Sequence, residues 1–252
     1  MVLLLLKLLL VPSLIALISL AGARWGVRIA GVLAGFPIVA GPILLFLALE
    51  QGAAFAAQSA IATLYGLLAI SSYCLSFCWL ARRLRWWLCL ALGWLTFLIA
   101  AAALRYLPNA LPIAAVSSLL ILAIAPRLFP VLTAHHAPQP VPRRELMWRM
   151  VSAVVLVLLI TAIADWLGAT WSGLLTLFPV AGSVLGVFAL RSGGAAQATA
   201  LLRGMITGLY GLWAFFVVAA WLLPTLSVAL SFLLALLTAI AVQALLLKLV
   251  HR

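Results

Sequence analysis

From Val2 to Val250 the chain is a succession of apolar runs, each about as long as a bilayer is thick, separated by short basic or proline-bearing breaks. A crossing takes about 20 apolar residues, and in lipid each backbone N–H and C=O needs an internal partner, so runs of this kind read as helices. Hydrophobic residues fill 68% of the 252 positions and charged residues 7%, against roughly 25% charge in soluble domains. The fold class that follows is all-α and polytopic, with almost no extramembrane domain, so function has to lie inside the membrane. The net charge of +12 does not mark a nucleic-acid surface. The basic residues punctuate the ends of apolar runs, where they act as orientation signals.

The expected spans are residues 2–21, 29–49, 54–81, 86–107, 110–129, 147–165, 171–190, 197–223 and 225–249. The leucine-rich start, ending in Ala21-Gly22-Ala23, has the look of a secretory signal. Lys7 within it, and Arg24 and Arg28 after it, instead give the charge order of a retained first helix whose end is cytoplasmic. With the N-terminus outside and the C-terminus inside, Arg24, Arg28, Arg82, Arg83, Arg85, Arg127, Arg143, Arg144, Arg149, Arg191, Lys248 and Arg252 collect on the cytoplasmic side. Tryptophans at 25, 79, 86, 87, 148, 166, 171 and 221 fall near span ends, as an interfacial belt requires. The sizeable loop, about 130–146, is stiffened by Pro130, Pro138, Pro140 and Pro142 and carries His135 and His136. Without a carboxylate or cysteine beside it, the histidine pair reads as solvated, and Cys74, Cys78 and Cys89 read as small apolar residues.

The chain repeats itself. Gly35-Phe36-Pro37-Ile38-Val39-Ala40-Gly41-Pro42 returns as Leu177-Phe178-Pro179-Val180-Ala181-Gly182-Ser183, and each copy is followed one helix later by Tyr-Gly-Leu, at Tyr65-Gly66-Leu67 and Tyr210-Gly211-Leu212. Spans one to four match spans six to nine, and span five is left over. Moving five spans along the chain reverses direction, so two inverted four-helix repeats are expected, residues 1–107 and 147–252, joined through a linker helix and loop at 108–146. In inverted repeats, binding sites form near the bilayer midplane where broken helices of the two halves meet.

On Ser172-Gly173-Leu174-Leu175-Thr176-Leu177-Phe178-Pro179, then Leu201-Leu202-Arg203 and the closing basic end, the second half resembles the GlpM (YdgC-like) family of small four-helix inner-membrane proteins. Gly31 to Pro37 and Glu50-Gln51-Gly52 resemble the same pattern in the first half. The resemblance implies an antiparallel pair of such units fused through a linker helix, in a bacterial inner membrane, and carries no substrate with it. In this alignment Arg203 falls opposite Ala57 or Gln58, and Glu50 opposite Arg191.

Candidate substrate-binding residues are Phe36, Pro37, Gly41, Phe178, Pro179 and Gly182 at the breaks, with Gln58, Tyr65, Arg203 and Tyr210 on the helices that follow. Each proline removes a backbone donor and is expected to free carbonyls near midmembrane. Such groups need protein or a water-lined cavity, and the same motifs also read as packing kinks. Arg203, inside a span, either snorkels or binds an anion. Glu50 and Asp165, at span ends, are candidates for coupling or gating. An acid at the bilayer centre, which proton-coupled export of cations usually needs, is not expected. With no nucleophile–base pair, metal cluster or glycine-rich phosphate loop in the sequence, no enzymatic activity, cofactor or metal is expected. The expected partners are membrane lipids and a small anionic or amphiphilic substrate. The leading expectation is an inverted-repeat transporter or flippase-like protein; the alternatives are a membrane scaffold or accessory subunit and an ion channel of antiparallel design. A polar cavity between the Phe-Pro helices would favour transport, and a closed junction would favour a scaffold.

Overall fold

The computed structural model describes residues 2–37, 40–132, 141–167 and 178–250, with side chains at 9–37, 40–132, 141–159 and 178–248. These residues form α1 (Val2–Trp25), α2 (Val27–Gly35), α3 (Ala40–Gln51), α4 (Ala53–Leu80), α5 (Trp86–Leu104), α6 (Leu111–Leu128), α7 (Arg143–Leu167), α8 (Val180–Leu222) and α9 (Val228–Val250). Among the described residues, six stretches are long and apolar enough to cross a membrane: α2 with α3, then α4, α5, α6, α8 and the Val228–Lys248 part of α9. The protein is a helical integral membrane protein. His135, His136, Pro138, Pro140 and the Ser172–Leu177 motif lie outside the described residues, as does the side chain of Asp165 at the end of α7.

The helices sort into central and peripheral by burial. In their most apolar windows α4 and α8 bury 56% and 61% of residues, whereas α5, α6 and α9 bury 22% and present leucines and isoleucines outward, as lipid-facing helices do. α8 is the hub: α2, α4, α6 and α9 all pack on it, while α1 packs on α2 and α7. α6 is fastened by indole and phenol groups. Trp79 Nε1 donates to Leu128 O at 2.9 Å, Tyr65 Oη to Pro108 O at 2.7 Å, and Trp213 Nε1 to Ala115 O at 3.0 Å.

Three glycines turn the chain between helices. Gly26 (φ 93°, ψ 158°) and Gly52 (φ 92°, ψ 163°) each separate two helices, and Gly194 (φ 73°, ψ −170°) interrupts α8. This backbone region is essentially closed to residues with a Cβ. Gly52 follows Pro37 at the same separation as Gly194 follows Pro179, and Leu80 and Leu222 close their helices equally far beyond these glycines.

One expectation is corrected. Residues 143–146 are not loop: α7 starts at Arg143, because Glu145 in its first turn pairs with Arg149 one turn on, a helix-stabilising spacing at a helix start that favours acids. Arg203 is as far past Gly194 as Ile61 is past Gly52, and the two Tyr-Gly-Leu copies are not equally spaced from these glycines.

Candidate functional site

Pro37 and Pro179 are both buried. Neither interrupts a helix from within. The amide of Phe36 donates to Leu33 O at 3.2 Å, closing α2, and Pro37 O then accepts from Gly41 N at 3.1 Å to open α3. Likewise Pro179 O accepts from Ser183 N at 2.8 Å to open α8. At a helix start a missing N–H costs nothing, which corrects the expectation of prolines clashing inside a continuous helix.

The two breaks converge on one turn of α8. Gly31 and Gly35 on α2 face Gly204 and Gly208 on α8, and Arg28 lies at Gly204 as Val32 lies at Gly208, so the two helices run parallel. A Cβ on any of the four glycines would overlap a backbone oxygen: Leu201 O, Met205 O, Arg28 O and Val32 O, in that order. This is backbone-to-backbone packing of the small-residue kind that draws membrane helices together. The Met205 carbonyl lies against Gly35 at the first break, and its thioether lies 3.3 Å from where a Cβ on Gly182 would sit, just past the second break. Among the described residues, Phe36 and Ala181 line a cavity of about 30 Å³ with an apolar wall that includes Ile15 and Ile18 of α1.

Aromatic rings fill the second break. Phe178 has centroids 5.4 Å from both Trp94 and Phe97, and Trp94 Nε1 donates to Ser183 Oγ at 2.9 Å. Tyr73, fully buried, sets its ring 3.2 Å from a Cβ position on Gly182, and its hydroxyl lies beside Ser183 without full hydrogen-bond geometry. At the first break the neighbours are Phe215, 3.6 Å from a Cβ position on Gly41, and Gly211. Beside them the buried amide of Gln243 has neither atom paired among the described residues.

The remaining expected residues are scattered. Gln58 is exposed on α4, Tyr65 is spent on Pro108, and Tyr210 is half-buried on α8. Glu50 is exposed in the last turn of α3. Arg203 is exposed, and its neighbour Gly204 meets Arg28 in the first turn of α2. Arg203 therefore lies level with a helix end, where a long side chain reaches the interface at little cost.

A roomier feature went unread in the sequence. Where α5, α7 and the first part of α8 meet, a cavity of about 580 Å³ lined by Arg144, Glu145, Trp148, Arg191 and Ser192 abuts one of about 440 Å³ lined by Leu90, Trp94, Val155, Leu159, Ser183 and Val187. They share Trp148, Ser152 and Phe188 and so form one groove. Its lining comes from three helices, and no local pattern announces it. The glycine spacing of α2 and α8, by contrast, is a small-xxx-small signal that was there to be read. No family model, curated protein or solved structure matches the chain.

Proposed function

We propose that this integral membrane protein is an inverted-repeat transporter or flippase-like protein for a small anionic or amphiphilic substrate, built as a fused antiparallel pair of GlpM-like four-helix units. In this reading it sits in a bacterial inner membrane with its N-terminus outside and its C-terminus cytoplasmic. The observation that carries the reading is the convergence of two helix starts, each with a buried proline, on the Met205 turn, since transport sites form where broken helices of two halves meet. The matched spacing of Pro37 to Gly52 and Pro179 to Gly194 supports the duplication. The small cavity between Phe36 and Ala181, with room for about one water in its 30 Å³, fits an occluded arrangement. The same small volume favours a second reading, a non-transporting scaffold.

The two readings separate in proteoliposomes containing fluorescently labelled phosphatidylglycerol and an impermeant quencher. Transport predicts quenching of the inner-leaflet label beyond that in protein-free vesicles, and its loss when Pro37→Ala and Pro179→Ala are combined at equal reconstitution. Wild-type vesicles indistinguishable from empty ones, and equally impermeable to a small organic anion, leave the scaffold. Full activity in the double variant removes the Phe-Pro breaks from the site.

A further inference from the structure

We infer that the groove between α5, α7 and the first part of α8 binds one anionic lipid, its acidic head group at Arg144 and Arg191 and its acyl chain against Val151, Val155 and Leu159. The mouth carries three charged side chains, Arg144, Glu145 and Arg191. Glu145 is neutralised from behind: Arg149 holds it with Nε at 3.1 Å and Nη2 at 2.6 Å, and Arg149 is itself fixed by Ser19 Oγ at 3.0 Å and the Phe188 ring at 5.3 Å. The exposed Arg144 and Arg191 have no acidic partner among the described residues, and the Arg191 guanidinium stands 5.8 Å over the Trp86 ring, at the entrance of α5. Cations beside tryptophans at helix ends mark the interfacial layer of a membrane, where an anionic head group lies.

Below the mouth the chemistry changes. Val151, Val155 and Leu159 follow one another at single-turn spacing on α7 and are exposed by 49%, 57% and 50%, which leaves their stripe open to an occupant along its length. From Arg144 to Leu159 the helix rises roughly 22 Å, more than half of a hydrocarbon core of about 30 Å. Both cavity volumes, 580 and 440 Å³, lie in the range of small-molecule sites, roughly 300–1,000 Å³. The inner end reaches Trp94 and Ser183, and Ser183 is the residue whose amide opens α8 on Pro179 O. The groove thus joins a basic interface to the second Phe-Pro break.

Calling the groove an access route rests on the transporter reading; lipid binding is measured without transport, so either can fail alone. The experiment is native mass spectrometry of the full chain in detergent, with equimolar phosphatidylglycerol and phosphatidylcholine of matched acyl chains. Wild type is expected to retain phosphatidylglycerol preferentially. Arg144→Gln with Arg191→Gln lowers that retention by about 30-fold and leaves phosphatidylcholine unchanged, whereas Arg144→Lys with Arg191→Lys keeps most of it. Val155→Trp, filling the apolar part, lowers both lipids; an unchanged thermal midpoint in each variant confirms folding. Arg82→Gln with Arg83→Gln, off the groove, keeps the preference. Equal retention of the two lipids by wild type, a preference that survives Arg144→Gln/Arg191→Gln or falls equally in the Arg82/Arg83 variant, or competition by glycerol phosphate as effective as by the lipid would each overturn the assignment.

Discussion

Tyr73 and Phe215 stand equally far beyond Gly52 and Gly194, and each lays its ring on a glycine just past a Phe-Pro break, Tyr73 on Gly182 and Phe215 on Gly41. They differ by one oxygen. Near Tyr73, Trp94 donates to Ser183, and the same count puts Leu236 and Gly41 at those positions, a pair with no side-chain hydrogen bond to make. At the groove mouth Arg144, Arg191 and Ser192 have Val2, Leu49 and Glu50 as their counterparts. At equal distances from the two glycine turns the prolines and the packed rings recur, and the hydrogen-bonding and charged residues do not. Charge and hydrogen-bonding groups are concentrated beside the first part of α8.

The largest expected effect lies at the α2–α8 crossing. Gly31→Ala would push two backbones apart and is expected to cost about 3 kcal/mol or more, whereas Gly41→Ala and Gly186→Ala, whose methyls meet rings or a leucine at 3.6 and 3.7 Å, should be nearly neutral. Thermal denaturation in detergent reads the contrast, and equal losses at all three would remove the crossing as the rigid centre. Next come the turn glycines. Gly52→Ala and Gly194→Ala have open space for a methyl, so the cost is backbone strain alone, about 1–3 kcal/mol each. Clearly unequal losses would break the equivalence of the two turns.

Exchanging the oxygen tests the rings themselves. Phe215→Tyr buries a hydroxyl beside Gly41 and Phe232 and should destabilise by about 1–3 kcal/mol. Tyr73→Phe removes a buried hydroxyl that lacks full hydrogen-bond geometry toward Ser183 and should be neutral or stabilising by about 1 kcal/mol. If Tyr73→Phe keeps its melting temperature but loses lipid movement in proteoliposomes, that hydroxyl serves the substrate. The smallest effect is expected from Gln243→Leu, a gain within about 1 kcal/mol for the same reason; a loss would reveal a partner for the amide.

Much of the helical layout was legible because apolar length and charge are local. The expected span 54–81 is α4 to within a residue at each end, and 110–129 is α6 to the same margin. The Phe-Pro repeat was visible as letters; that each proline would sit buried at a helix start was not. Tyr-Gly-Leu is an exact tripeptide match, whereas Gly52 and Gly194 are singled out by a positive φ that letters do not show. Arg203 drew attention as a cation within a span, yet depth depends on the partner helix, which only the Gly204–Arg28 contact supplies. The groove needed three helices brought together before Arg144 and Arg191 shared a mouth.

The fastening of α6 has a mechanical consequence. Two of its ties, Trp79 to Leu128 and Tyr65 to Pro108, come from α4 at opposite ends of the helix, so α6 is a splint that travels with α4 as one lever. Among the described residues, its hydrogen bond to α8 is Trp213 N–H on Ala115 O. A displacement of α8 along α4 would strain that bond among the first, and in a variant whose other nine tryptophans are replaced by phenylalanine the Trp213 indole would be a strain gauge whose fluorescence reports it.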